Sequence, residues 1–315
     1  MDGTQKFFDR DIASAVTDPV RRVGRPALRE VVTEGIAAFE RCSLTADGLD
    51  TPMAVLFPFL QMFELLDATE TVLDTGAAAP GRVLLRAAYE SWLTFEYITE
   101  TDTERRAAAF LVFDIHERIK GLKRFDPTSD QGKRFRASIA KDQYGAGIEI
   151  PSLADVGTQI REYEELLTKP HLLDAAAEYE RLRSALRRVP PFHACWGGPQ
   201  SLEELALHLG RSGFYELLYR PSSKTAHAND LRRLLREVDG APAITRLRSG
   251  EGLITAYFYA ISMGLSAIHR LLGHYRHGEL ETFYPRWYQE KVRPLYWQLV
   301  PEHDGKEVPD LRDAG

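Results

Sequence analysis

Apolar residues recur every three or four positions through most of the chain, and this helical spacing constrains the fold more than any other feature of the sequence. Strict alternation of apolar and polar residues, which is typical of half-buried strands, is almost absent. The pattern predicts an all-α protein, built as a multi-helix bundle with an inserted middle section. The predicted helices cover residues 27–41, 52–73, 82–99, 103–124, 153–167, 172–188, 202–209, 214–219, 224–238, 252–275 and 282–299.

Three segments interrupt the helical pattern, at residues 126–147, 189–200 and 239–250. None has the length or low-complexity composition of a linker, and the sequence contains no solenoid-type repeat. The helices on both sides of each break have an apolar face that needs a partner. These observations favour a single helical domain over residues 1–315. The alternative is a subdivision near residue 189, with N-terminal helices in 1–188 and C-terminal helices in 189–315.

Composition and cysteine usage favour an ordinary folded protein of the cytoplasm. The chain is 44% hydrophobic and 27% charged, with a net charge of −6, which excludes a generally basic nucleic-acid coat. Cys42 and Cys195 lie in unrelated contexts, so we expect neither a disulfide framework nor a zinc ribbon. The uncharged segment 252–268 contains Thr, Tyr and Ser, which favours a buried helix over a membrane span.

Charge is nevertheless uneven along the chain. Eight basic and two acidic residues between Arg118 and Lys141 leave a local charge of +6. Such a stretch either holds a polyanion or forms a solvated helix end and loop without a specific role.

Several classes of catalytic site are excluded by their missing motifs. The sequence has no Walker-type phosphate loop, no GxGxxG, no GxSxG and no HExxH. It also lacks the Glu-x-x-His pairs of di-iron bundles. His274 and His277 are one helical turn apart, but the surrounding residues are typical of a polar helix end. We therefore predict neither a metal site nor a cofactor.

The segment 219–230, which reads Tyr-Arg-Pro-Ser-Ser-Lys-Thr-Ala-His-Ala-Asn-Asp, is rich in hydrogen-bond donors. Arginine offers a planar fork to a phosphate, and histidine exchanges a proton near neutral pH. Arg220 and His227 are therefore the candidate catalytic residues, and Ser223, Lys224 and Asn229 are candidate substrate-binding residues. Pro221 predicts a helix break after an extended Arg220, with Ser222 or Ser223 capping a new helix. The alternative is that these polar residues only satisfy the break.

A second candidate pair, Arg86 and Glu90, lies one turn apart on a helix of mostly apolar residues. The pair either forms an intrahelical ion pair at the edge of the core or belongs to the substrate-binding site. In the second case, Glu90 orients His227 or Arg220 from across the bundle.

Taken together, these residues resemble a known superfamily. Arg220-x6-His227 fits the Arg-x4-6-His signature of the HEPN proteins, helical bundles that include metal-independent RNases of toxin–antitoxin and phage-defence systems. The wider pattern is similar to a bacterial family of unknown function that we place near the HEPN proteins. That pattern comprises Arg86-x3-Glu90, Trp196, Ser201 to Ala206, Tyr215-x3-Tyr219-Arg220 and Ser223-x3-His227-x-Asn229.

The HEPN resemblance implies an endoribonuclease in which His227 transfers protons and Arg220 stabilises the charge on the transition state. It also implies RNA or a nucleotide as ligand, a homodimer with a shared site, and an antitoxin or defence protein as partner. Many HEPN RNases carry a polar residue directly after the arginine, where this chain has Pro221, so the polar partner here is Ser223 or Asn229. The alternative function is a non-catalytic module that binds a nucleotide, an anion or a partner protein.

Overall fold

The structure is a computed structural model that describes residues 10–44, 50–145, 147–148, 155–226, 235–238, 240–244, 248 and 250–300. Helices dominate these residues, and the predicted all-α multi-helix bundle is confirmed. The longer helices are α1 (Arg10–Ser43), α2 (Asp50–Asp74), α3 (Ala78–Glu100), α4 (Thr103–Phe125), α5 (Asp130–Lys141), α6 (Val156–Leu166), α7 (Leu173–Leu186), α11 (Leu253–Tyr275) and α12 (His277–Trp287).

Shorter elements connect these helices. They are a 3-10 helix (Phe192–Gly197), α8 (Leu202–His208), α9 (Ser212–Phe214), a π-helix (Tyr215–Tyr219), α10 (Arg220–Ala226), strands β1 (Leu235–Val238) and β2 (Ala241–Ile244), a second π-helix (Tyr288–Val292) and α13 (Arg293–Tyr296).

Backbone contacts divide the chain into two compact units. Unit 1 combines the described residues up to Glu100 with those from Leu205 onward, and unit 2 comprises those from Thr101 to Glu204. Unit 2 is therefore the inserted middle section in the sequence. The boundaries fall after Glu100 and after Glu204, and the alternative subdivision near residue 189 stays a prediction. That the chain forms one domain stays a prediction.

The core of unit 1 lies among α1, α2, α3 and α11, which pack against one another. Aromatic side chains fill much of it. Phe59 contacts Phe63 with ring centroids 4.5 Å apart and Phe95 with centroids 5.4 Å apart, and all three are fully buried. Helix α11 is buried on most of its faces, as the apolar segment 252–268 predicted.

The core of unit 2 is built on α4, which packs against α5, α6, α7 and the 3-10 helix. Val112, Ile115 and Ile119 recur along one face of α4 and meet Leu172 and Tyr179 from the start and middle of α7. Several cations of the basic stretch have acidic neighbours in this unit: Arg118 pairs with Asp114 and Lys120 with Glu117. These pairs favour the interpretation of the stretch as a solvated helical surface.

Several predictions of secondary structure are wrong in detail: α1 begins at Arg10 and not near residue 27, and two segments have a different type of structure. Helix α5 occupies most of the segment predicted as a break at 126–147, because Ser129 accepts a hydrogen bond from the Gly132 N–H and so caps a new helix. Of the predicted helix 224–238, residues 224–226 are helical, in α10 (Arg220–Ala226), and 227–234 lie outside the described residues. Residues 235–238 instead pair with 241–244 as an antiparallel hairpin, in which Gly240 takes a positive φ of 77°.

No described helix is both long enough and apolar enough to cross a bilayer. Within the same described residues, no group of three or more His, Cys, Asp or Glu side chains could hold a metal ion.

Candidate functional site

The π-helix Tyr215–Tyr219 positions the first predicted site residue. Its hydrogen bonds run from residue i+5 to residue i, and the last of them joins the Arg220 N–H to the Tyr215 carbonyl. Single π-helical turns inside α-helices are frequent at functional sites. This turn brings Tyr215 and Tyr219 into a near-parallel stack with ring centroids 5.2 Å apart.

The predicted break at Pro221 is wrong. Arg220 is helical, with φ −59° and ψ −48°, and α10 follows the π-helix without interruption. The last π-type hydrogen bond is donated by Arg220, directly before Pro221. The proline, which has no N–H, therefore lies where π-helical hydrogen bonding gives way to α-helical hydrogen bonding, and the helix tolerates it there. Ser222 is consequently not a cap: it is buried, and its hydroxyl has no hydrogen-bond partner in the described structure.

Arg220 is the first residue of α10, and about half of its side chain (47%) is exposed. Its Nε lies 3.0 Å from an oxygen of Glu216, and its guanidinium carbon lies 5.1 Å from the centre of the Tyr215 ring. The arginine therefore reaches solvent while an aromatic ring and a carboxylate hold it in place.

Arg86 and Glu90 lie on α3, against the same pair of tyrosines. Arg86 donates to the Tyr219 hydroxyl at 3.1 Å, and its guanidinium carbon lies 4.8 Å from the centre of the Tyr219 ring. The Arg86–Glu90 distance is 3.5 Å, as the one-turn spacing predicted. We name Arg86, Glu90, Tyr215, Tyr219 and Arg220 the arginine–tyrosine cluster.

The electrostatics of the cluster centre on Tyr219. Burial raises the pKa of its hydroxyl, and the hydrogen bond from Arg86 partly offsets that rise. The same hydrogen bond is the main reason that the pKa of Arg86 is raised. At neutral pH the Tyr219 hydroxyl is therefore protonated and Arg86 is charged. The Arg86 Nε is buried and has no hydrogen-bond partner in the described structure.

The remaining predicted residues divide between α10 and a segment beyond it. Ser223 is half-buried and Lys224 is exposed, both on α10. His227 and Asn229 lie outside the described residues. The structure thus brings Arg86, Glu90 and Arg220 to neighbouring tyrosines, and it does not test the pairing of Arg220 with His227.

A pocket in unit 1 contains residues that the sequence analysis missed. It encloses about 390 Å³, and we name it the α3–α11 pocket after the helices that form its walls. Glu96 of α3, only 2% exposed, forms a two-pronged ion pair with Arg211, with both distances 2.8 Å. Ser266 of α11 donates to the same carboxylate at 3.1 Å.

Tyr89 separates this pocket from the arginine–tyrosine cluster. Its ring centroid lies 5.8 Å from that of Tyr219 on one side, and 5.9 Å from that of the pocket residue Trp92 on the other. The helical repeat places three residues of α3 on one side of the helix: Arg86, Tyr89 and Glu96. Polar residues on one side of a mostly apolar helix were the sequence feature from which Glu96 could have been predicted. Arg211 could not be identified as the partner, because 115 residues separate it from Glu96.

Comparison with known proteins identifies the family. Residues 53–242 match the model of a family of unknown function, DUF5677. The chain belongs to this family. The DUF5677 match includes most of α2 and all of α3, the first π-helix and α10, and therefore the whole arginine–tyrosine cluster.

The predicted resemblance to a family of unknown function is thus confirmed. The DUF5677 match extends at both ends beyond the residues that carried the resemblance, which run from Arg86 to Asn229. The searches of curated proteins and of solved structures found no match to the chain. The relation of DUF5677 to the HEPN proteins stays a prediction.

Proposed function

We propose that this DUF5677 protein is a HEPN-like, metal-independent endoribonuclease with a toxin or phage-defence role, and that Arg220 and His227 carry its chemistry. The observation that carries the proposal is the position of Arg220. It is half exposed at the start of α10, next to two stacked tyrosines and a second arginine, Arg86.

This arrangement suits single-stranded RNA. Proteins hold unstacked bases on aromatic rings and on arginine planes, and meet the backbone phosphates with cations. Tyr215 and Tyr219 offer the rings, and Arg220 and Lys224 offer the cations. The Arg220–Glu216 pair is exposed on both sides, and such pairs contribute only about 0–1 kcal/mol. A phosphate can therefore replace Glu216 at little cost.

The proposed reaction needs only the RNA and two side chains. The ribose 2′-oxygen attacks phosphorus, and its proton passes to the imidazole of His227. The bond between phosphorus and the 5′-oxygen then breaks, and the 5′-oxygen takes up that proton from the His227 imidazolium as it leaves. Arg220 stabilises the negative charge that develops on the phosphorane. The products are a 2′,3′-cyclic phosphate and a free 5′-hydroxyl.

The test is cleavage of a panel of labelled RNAs in the presence of EDTA. We expect the wild-type protein to cut, and His227→Ala and Arg220→Ala each to lower the rate about a hundred- to ten-thousand-fold. Arg293→Ala is the matched control, because Arg293 is an exposed arginine of α13 outside the cluster. Intact RNA with the wild-type protein, or full activity in both site variants, would contradict the proposal.

The alternative is a non-catalytic module that binds a nucleotide, an anion or a partner protein through the same cluster. The cluster favours it because its arginines and aromatic rings are sufficient to bind an anion or a base without any proton transfer. RNA that binds the wild-type protein and is released uncut, with binding lost in Arg86→Ala and Arg220→Ala, would support this alternative. The proposed homodimer, and an antitoxin or defence protein as partner, rest on the HEPN resemblance.

A further inference from the structure

The α3–α11 pocket contains more hydrogen-bond donors than acceptors. Both oxygens of Glu96 are occupied, because Oε2 accepts from Arg211 Nε, and Oε1 accepts from Arg211 Nη2 and Ser266. The carboxylate therefore neutralises Arg211 and has no strong interaction left for a ligand. Glu100 also lines the pocket, and its Oε2 lies 2.8 Å from His208 Nε2. Apart from these two carboxylates, a molecule that enters the pocket meets mainly groups that donate.

Arg270 is the cation without a counter-charge. Its Nε donates to the Thr99 hydroxyl at 3.0 Å and its Nη2 to the Glu96 carbonyl at 3.3 Å. These bonds fix the guanidinium against α3, and no carboxylate lies within ion-pair distance of it among the described residues. Arg270 thus presents a positive charge to the pocket, and the orientation of that charge is already set.

Two further donors line the pocket. Trp92 is 2% exposed, and its indole N–H has no hydrogen-bond partner in the described structure. A buried donor without a partner is energetically costly, so an acceptor at this position would be strongly favoured. His269 lies one residue before Arg270, and burial together with the Arg270 charge lowers the pKa of its imidazole. The His269 imidazole is therefore uncharged at neutral pH, with one ring nitrogen as donor and the other as acceptor.

The apolar part of the pocket is aromatic. Trp92 and Phe214 contact each other at a steep angle with ring centroids 5.2 Å apart, and Tyr284 also lines the pocket. Ring surfaces of this kind pack against planar ligands. A volume of about 390 Å³ lies at the lower end of the range of small-molecule pockets, which excludes a folded macromolecule as the occupant.

We infer that the α3–α11 pocket binds a small anion with a planar ring, of the nucleoside monophosphate class, with Arg270 at the anionic group and Trp92 and Phe214 beside the ring. Such a site lies apart from the arginine–tyrosine cluster and does not depend on RNA cleavage. It would give the protein a way to respond to a free nucleotide.

The experiment is calorimetric titration of the full chain with AMP, GMP, CMP and UMP, with adenosine and inorganic phosphate as separate controls. We expect at least one nucleotide to bind at least tenfold more tightly than adenosine or phosphate. Arg270→Gln should weaken that binding about ten- to a hundredfold, because a charge-assisted bond is lost. Arg293→Gln, an exposed arginine in the same unit, should leave it unchanged.

A second variant separates binding from folding. Gly273 lines the pocket, and a Cβ added there would lie 3.5 Å from Leu280, an ordinary contact. The backbone therefore accepts a Cβ here, and Gly273→Leu, whose fold is compared with the wild type by circular dichroism, should obstruct the ligand without removing a charge. The inference is overturned if none of the four nucleotides binds, if phosphate binds as tightly as they do, or if both variants bind like the wild type. Arg220→Ala and His227→Ala should bind normally, so failure of the RNase proposal would remain distinguishable.

Discussion

At the scale of single residues, a buried carboxylate such as Glu96 needs a partner for each of its oxygens. Arg211 supplies two of its three hydrogen bonds, and Trp92 packs against the same guanidinium, 4.9 Å from its ring centre. Removal of one partner from a buried pair is costly, because the remaining charge has lost its solvation.

We therefore expect Arg211→Met to lower the free energy of unfolding of unit 1 by about 3–5 kcal/mol. Arg293→Met, which removes an exposed arginine in the same unit, should change it by less than about 1 kcal/mol. Urea unfolding followed by tryptophan fluorescence gives both values. Equal effects of the two substitutions would show that the buried pair has no special weight.

His193 of the 3-10 helix gives unit 2 a pH dependence. It is 7% exposed, its Nδ1 donates to the Pro199 carbonyl at 2.7 Å, and burial lowers the pKa of its imidazole. The unfolded chain therefore binds this proton more readily than the folded chain does. Stability is full above the unfolded pKa of about 6.5 and falls as the pH drops below it, by at most about 1.4 kcal/mol per pH unit.

The measurement is urea unfolding of wild type and His193→Gln at pH 7.5 and 5.5. We expect His193→Gln to lose less stability on acidification than the wild type, whereas His171→Gln, an exposed histidine in the same unit, should behave like the wild type. If His193→Gln loses as much stability on acidification as the wild type does, groups other than His193 cause the pH dependence.

At the scale of elements, local sequence predicted most helices but not their irregularities. The Arg86–Glu90 pair follows from spacing within one helix, and α3, α4 and α11 lie close to their predicted limits. The pairing of 235–238 with 241–244 was missed because Gly240 and Pro242 also fit the sequence pattern of a helix end. The π-helix before Arg220 was missed because the one additional residue in its turn does not alter the amino-acid composition of the segment in a recognisable way.

Close packing of α1 against α11 depends on a glycine. A Cβ on Gly264 would overlap the buried Val31 side chain of α1, which cannot move without separating the two helices. We expect Gly264→Val to lower the free energy of unfolding by about 1–3 kcal/mol. Gly278→Ala is the control, because nothing lies within 4 Å of the added atom, and it should raise stability by up to about 1 kcal/mol. Thermal unfolding followed by circular dichroism compares the two, and a stable Gly264→Val would contradict this packing.

At the scale of the whole molecule, the predicted homodimer rests on the HEPN resemblance. The aromatic residues near the C-terminus do not add to it, because most pack inside unit 1. The Trp287 Nε1 donates to Glu30 at 2.8 Å, and Tyr296 stacks on Phe258 with ring centroids 5.7 Å apart. The sequence pattern could not distinguish such packing from an interface, since both use amphipathic aromatics.

We expect light scattering at micromolar concentration to give the mass of a dimer. A shared site would also let Arg220→Ala and His227→Ala proteins restore activity when their subunits are mixed. A monomer at every concentration tested would remove the shared site and leave a site within one chain.

RNA cleavage by 2′-hydroxyl attack is the central claim, and one substrate tests it most directly. The substrate is an end-labelled RNA that carries a single 2′-deoxynucleotide at the position cut in the unmodified RNA, incubated with the wild-type protein in EDTA. We predict that the unmodified RNA gives a 2′,3′-cyclic phosphate end and that the deoxy substitution abolishes cleavage at that position alone. Cleavage on the 3′ side of the 2′-deoxynucleotide at the unmodified rate would contradict the proposed mechanism.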